Sequence, residues 1–212
     1  MNQQRGKFIT VEGLEGAGKS TNIKVVEEFL GENHIDFISS REPGGTLYGE
    51  QMRELLLAHF EEKLDADAEL LLIFAARAQH LAQKIIPALE RGKWVLCDRF
   101  TDATYAYQGA GRDLGVDRVA QLENFVQAEL RPDLTLILDL PIEVGMQRVD
   151  ERGERDRFES EQRHFFEKVR AEYLNRAEES PHRYAVIDTA QTREAVKHDI
   201  RARLSELLSA YE

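Results

Sequence analysis

Cysteine is nearly absent from this chain. Cys97 is the single one among 212 residues, so no internal disulfide can form and the fold has to rest on a packed core. It ends the apolar run Trp94-Val95-Leu96-Cys97, where a buried structural thiol is expected rather than a reactive one. Positive charge is also scarce. The 28 Lys and Arg face 39 Asp and Glu, a formal net charge of −11. Nucleic-acid backbones and anionic membranes reward clustered positive charge, so neither is an expected partner. Any anionic small molecule must then be met by a local basic pocket. No apolar run is long enough to cross a bilayer and no signal-peptide pattern precedes the first apolar segment, so a cytoplasmic protein is expected. Internal repeats, low-complexity stretches and Pro/Ser-rich linkers are lacking too. The length suits one domain with a lid.

Against these absences stands Gly13-Leu14-Glu15-Gly16-Ala17-Gly18-Lys19-Ser20, which fits G-x-x-x-x-G-K-[ST]. Before it lies Lys7-Phe8-Ile9-Thr10-Val11, short, apolar and β-branched, as a buried strand should be. After it, from Thr21 onward, Ile23, Val26, Phe29 and Leu30 fall at helical spacing. Strand, glycine loop and helix are the context in which this pattern cradles phosphates. Glycines allow several N–H groups to face one hollow, and the new helix adds its positive end. Lys19 is expected to reach the outer phosphates of a nucleoside triphosphate, and the Ser20 hydroxyl to ligate Mg2+.

Strand-like segments recur at 8–11, 36–39, 94–97, 134–140 and 184–187. Helical patterns cover 21–30, 47–58, 66–91, 117–130, 142–152, 161–179 and 192–211. This alternation predicts an α/β protein, a five-stranded parallel sheet with helices on both faces. Ligands in such sheets bind beyond the carboxyl ends of the strands. Charged strings follow those ends: Arg41-Glu42-Pro43-Gly44-Gly45, Asp98-Arg99-Phe100, the run from Arg148 through Asp150, Arg152, Arg155 and Asp156 to Arg157, and Asp188-Thr189-Ala190.

Asp98 ends an apolar strand, where an aspartate can help hold Mg2+ or cap a helix. Arg99 follows it. An arginine stays protonated and cannot activate water, but it can grip a phosphate through two parallel hydrogen bonds. Transfer to a bound acceptor is therefore favoured over hydrolysis. No Asn-Lys-x-Asp string is present, which argues against a regulatory GTPase. Arg41 is read either as a second phosphate ligand or as a surface arginine paired with Glu42. Glu15 would be repelled by a polyphosphate and should turn toward the acceptor side, to meet a hydroxyl, or else into solvent. The charged run is either a solvated helix face or a basic lid hinged at Gly153, about residues 148–160. Phe74 is a core residue or a base-stacking platform, and Gln108 reads a base edge or is a satisfied surface amide.

Together these residues resemble the thymidylate kinase family of P-loop kinases. The resemblance rests on Val11-Glu12-Gly13 through Thr21, Arg41-Glu42-Pro43-Gly44-Gly45-Thr46, Asp98-Arg99, Ala106-Tyr107-Gln108-Gly109, Arg131-Pro132-Asp133-Leu134-Thr135 and Asp156-Arg157-Phe158-Glu159, and spans nearly the whole chain. It implies a single P-loop kinase domain over 1–212 that moves the γ-phosphate of ATP to dTMP, with Mg2+. Residues 13–21 (Gly13, Leu14, Glu15, Gly16, Ala17, Gly18, Lys19, Ser20 and Thr21) and Arg148 would hold ATP, and Ser20 and Asp98 the metal. Arg41 and Arg99 would hold the dTMP phosphate, and Glu15 the 3′-hydroxyl side. Arg77, Thr104, Tyr105 and Gln108 would surround thymine. The basic lid, with no basic residue at the variable loop positions, resembles the bacterial subtype, so that Arg152, Arg155 and Arg157 join Lys19 and Arg99 as catalytic charges. The family's stacking Phe lies four residues before the equivalent of Arg77. Here that position is Ile73 and Phe74 follows, so either Phe74 turns in or an aliphatic face covers the base. A homodimer is implied as well.

Overall fold

The computed structural model describes residues 4–151 and 156–211. Five parallel strands, β1 Phe8–Gly13, β2 Phe37–Arg41, β3 Trp94–Asp98, β4 Leu134–Asp139 and β5 Tyr184–Asp188, form one sheet in the order β2-β3-β1-β4-β5. β1 is central and buried along its whole length, which explains why its sequence is apolar rather than alternating. The registers Val11↔Asp98, Arg41↔Asp98 and Gly13↔Leu138 align the carboxyl ends of β1, β2, β3 and β4. The glycine loop, Arg41 and Asp98 therefore leave the sheet along one edge.

Helix α1 (Lys19–Glu32) and the C-terminal α9 (Arg193–Ser209) cover one face. Val26, Phe29 and Leu30 pack there against Ile9, Leu136, Ile200 and Leu204. The other face carries α4 (Ile86–Glu90), α5 (Thr101–Thr104) and α8 (Arg163–Glu179). An outer layer of α2 (Leu47–Leu57), α3 (Ala66–His80) and α6 (Val116–Gln127) walls the acceptor end, and the short α7 (Ile142–Asp150) runs beside the glycine loop.

Two helical segments depart from sequence expectation. The helix read as continuous over 66–91 changes to a π-helical turn at Leu81–Ile85 before α4. Pro87 explains it, because a proline lacks the N–H that an α-helix would need there and the wider turn absorbs the mismatch. Residues 101–111, read only as a helix-like turn, form α5 followed by a π-helical stretch Tyr105–Gly111. Propensity gave no warning of it, since Gly109 and Gly111 weaken any helix in isolation. Packing of this stretch against α8 supplies the stability that propensity withholds.

Candidate active site

The glycine loop turns where the chain most needs glycine. Gly16 has φ 76°, and a Cβ there would lie 2.4 Å from the Gly145 carbonyl of α7. Any side chain would push loop and helix apart. Gly18, at φ 85°, precedes α1, whose N-terminus has no side-chain cap. The first N–H groups of that helix are thus left to bind an anion. Lys19 Nζ donates to the Gly13 and Leu14 carbonyls at 3.1 and 2.9 Å. Burial, then the nearby Arg99 charge, pushes its pKa down to about 8. Approaching phosphates would restore the charged form.

Beside the loop opens a cavity of about 420 Å3, lined by Glu15, Lys19, Ser20, Arg41, Asp98 and Arg99 and extending to Ile73, Arg77, Thr104 and Gln108. Its volume suits a small ligand. Arg99 lines the cavity with φ 64°, a left-handed backbone that costs a non-glycine residue about 1–3 kcal/mol. Two bonds hold it there: Arg99 N–H to the Val11 carbonyl at 3.0 Å and Phe100 N–H to Glu12 Oε1 at 2.6 Å. Its guanidinium donates to Glu15 Oε1 (2.6 Å) and to the Tyr173 hydroxyl (3.2 Å), and lies 4.8 Å from the Tyr107 ring centre. Glu15 turns toward Arg99 and the Tyr107 hydroxyl. Burial alone would raise its pKa, but the Arg99 and Lys19 charges and the Tyr107 hydroxyl hold it below the ordinary range.

Asp98 Oδ1 is buried with no hydrogen-bond partner among the described residues, and Ser20 lines the same cavity. One carboxylate and one hydroxyl make an all-oxygen donor set. That fits Mg2+, which keeps several waters and takes further oxygens from phosphate. The residues present are therefore suited to the ion.

Several sequence expectations need correction. Arg41 lines the cavity rim but pairs with Glu50 at 2.8 Å, not with Glu42. Glu42 is buried instead, accepting from Arg77 Nε at 2.7 Å and lying 3.0 Å from His80 Nδ1. Phe74 does not face the cavity. It packs with Leu70, Tyr105 and Val119, and Ile73 lines the site. Tyr105 also points away, donating its hydroxyl to Glu123 at 2.6 Å, because it sits one position round the helix from Thr104. Tyr107 takes the place expected of it. Of the lid arginines, Arg148 lines the cavity and donates to the Gly16 carbonyl at 3.0 Å. Arg157 is drawn to the buried Glu69, 2.7 Å away, and to the Leu56 carbonyl at 2.8 Å. It does not line the cavity. Arg152, Arg155 and the hinge residue Gly153 lie outside the described residues. Asp188 and Thr189 are occupied locally, by the Ala190 N–H and the Asp139 carbonyl.

Three residues escaped sequence reasoning. Arg53 of α2 lines the cavity and donates to the Pro43 carbonyl at 3.0 Å. Nothing in its neighbourhood marks it, since it looks like any helix-surface arginine. Tyr173 of α8 is far away in sequence, and Glu12 was hidden in an apolar strand. Glu12 accepts from Phe100 N–H and from the Tyr173 hydroxyl (2.9 Å). Burial, then the negative Asp102, pushes its pKa from an ordinary 4.5 up to about 8, against the pull of Arg99. Between those two values the folded protein holds a proton that the unfolded chain releases, so this group's contribution falls as pH rises through the window. Glu12→Gln should remove that slope. Its melting temperature should gain on wild type steadily from pH 5 to pH 8 in thermal scans, and a constant gap would refute the assignment.

Comparison with known proteins supplies the context for this geometry. The sequence model of the family described as "Thymidylate kinase" matches residues 11–200. A thymidylate kinase from Ectopseudomonas mendocina is 60% identical over 205 residues, covering 97% of this chain and 98% of the relative. One from Teredinibacter turnerae is 56% identical over 203 residues, covering 96% and 99%. The crystal structure of thymidylate kinase from Ehrlichia chaffeensis superposes with a TM-score of 0.72 at 32% identity, covering 96% of this chain and 99% of that one.

Proposed function

Since the chain belongs to the thymidylate kinase family, we propose a division of labour among its residues for the ATP-dependent phosphorylation of dTMP to dTDP. One observation carries it. Lys19 with its uncapped helix end, and Arg99 with Arg41, open as two cationic ends onto one cavity in a protein of net negative charge. Donor and acceptor phosphates can meet between them.

The loop N–H groups and Lys19 hold the donor phosphates. Ser20 and Asp98 would hold Mg2+, which would supply positive charge to the donor phosphates. Arg99 and Arg41 aim the acceptor phosphate in line, and Arg53 adds a third cation beside them. Glu15 accepts from the sugar hydroxyl. Arg77, Thr104 and Gln108 meet the base edge, and Ile73 covers its face. Arg148, at the loop mouth, supplies lid charge, with Arg152 and Arg155 as its nearest sequence neighbours of the same sign. Arg157 is reassigned from catalysis to anchoring the lid on Glu69. No side-chain nucleophile is required, because positioning and charge neutralisation carry this chemistry.

We infer a cytoplasmic homodimer, a reading supported by membership of the family. Exposed Leu47, Leu55, Leu71 and Phe125 on α2, α3 and α6 offer apolar surface for a second copy.

A coupled assay of ADP release tests the reading. Release should depend on dTMP and yield dTDP. A preference for CMP or GMP would replace the substrate, and slow release indifferent to any acceptor would indicate a nucleotide-dependent switch.

A further inference from the structure

Glu69 is a buried carboxylate on α3 that the reaction does not use. Its Oε1 accepts from Gln108 Nε2 at 2.7 Å and from Arg112 Nε at 3.4 Å, and its Oε2 lies 2.7 Å from Arg157 Nη1. It is 1% exposed. It lies between two guanidiniums and accepts through Oε1, while Oε2 is close to Arg157 but has no hydrogen-bond partner among the described residues; a carboxylate can only accept.

Gln108 lines the cavity and is itself buried. A glutamine amide has two faces, donor and acceptor, and either can be turned outward by a half-rotation. A carboxylate neighbour removes that freedom. It can only receive, so the NH2 must face Glu69 and the carbonyl Oε1 is left for the cavity. Arg77 completes the edge. Its Nε is spent on Glu42 and its Nη2 on Thr104, and its Nη1 is buried without a partner among the described residues. The site thus presents one donor and one acceptor. Thymine and uracil offer a keto oxygen and an N–H in the matching order. Cytosine offers an amino group and a bare ring nitrogen, the reverse order at both atoms.

We propose that Glu69 is a positioning residue for pyrimidine specificity: by clamping the Gln108 amide with its carbonyl toward the base, it sets the preference for a keto over an amino pyrimidine monophosphate. This rests on the dTMP kinase reading. With a flexible amide Gln108 would turn its NH2 to cytosine and lose half of the discrimination. Arg157 adds to the clamp from the lid side, because its Nη1 lies 2.7 Å from Glu69 Oε2.

The test compares kcat/KM for dTMP and dCMP, with Mg2+ and saturating ATP, in wild type, Glu69→Gln, Gln108→Ala and the double variant. The amide of Glu69→Gln can turn a donor toward Gln108 and release the clamp. The dTMP:dCMP ratio should fall by about tenfold or more, as expected for one mispaired buried hydrogen bond. In the Gln108→Ala background the same substitution should leave the ratio unmoved. Equal losses for both substrates, or the same fall without Gln108, would overturn the proposal. A second measurement does not need the variant to fold. In 15N–1H spectra of wild type, the Gln108 side-chain amide, identified by its loss in Gln108→Ala, should show one downfield, exchange-protected proton. A proton pair at the shifts of a solvent-exposed glutamine amide, both exchanging freely, would also overturn it. Failure of wild type to phosphorylate dTMP sinks the underlying function, whereas an active wild type with an unmoved Glu69→Gln ratio sinks only the role of Glu69.

Discussion

Replacing Lys19 with alanine is expected to lower kcat by at least about 10²–10³-fold, the usual loss when one preorganised charge is removed from a developing transition state. The melting temperature should hold or rise. The reason lies in the folded protein itself. Burial and the Arg99 charge push Lys19 down to about 8, so at neutral pH the native state carries this charge against its own electrostatic preference. The two hydrogen bonds to loop carbonyls return only part of that cost. Activity and stability should therefore separate cleanly. Steady-state kinetics at saturating ATP, with a thermal scan of the same preparation, checks both. Unchanged turnover would remove the loop lysine from the mechanism, and a large drop in melting temperature would mean that it is chiefly a structural residue.

The second large effect is expected at Arg99. Arg99→Lys keeps the charge and removes the fork. A planar guanidinium serves Glu15, the Tyr173 hydroxyl and an incoming phosphate at once, whereas an ammonium is a point charge with a different reach. Losing two charge-assisted hydrogen bonds at about 1.5–3 kcal/mol each corresponds to roughly 10²–10⁴-fold in kcat/KM for dTMP. KM for ATP should change little, because the donor side rests on Lys19 and the helix N-terminus. That split is the informative part. Equal losses for both nucleotides would point to a collapsed cavity, and wild-type values for dTMP would exclude Arg99 from acceptor binding. The strain at this residue makes a structural contribution visible separately. The φ of 64° is sustained by bonds from the backbone N–H groups of residues 99 and 100, which the substitution leaves intact, so the fold should survive.

Much of this is legible in the sequence itself. The glycine loop is a local device: its function follows from a strand, a few φ > 0 positions and a helix start, all contiguous in the chain. The five strands were legible because a parallel sheet buries both faces and writes itself as short apolar runs. Asp98-Arg99 was legible because a charge at the end of such a run has to emerge at the ligand edge. The departures cluster where periodicity is interrupted. The π-helical stretch from Tyr105 shifts the phase so that Tyr107 rather than Tyr105 lines the cavity, whereas within the regular α3 the packing of Phe74 against Tyr105 and Val119 leaves Ile73 to line it.

Residue types and their local order thus determined by themselves that the chain folds as a parallel α/β domain, binds a triphosphate at one loop and meets a second anion beside it. Only the tertiary structure decided which side chains share the cavity and which carboxylates hold them. Arg41 with Glu50, Arg157 with Glu69 and Glu12 with Tyr173 are pairings between elements, up to 161 positions apart. Coulomb attraction and hydrogen-bond satisfaction select partners by distance in space. A linear sequence records no such distance until the sheet and its helices have brought the candidates together.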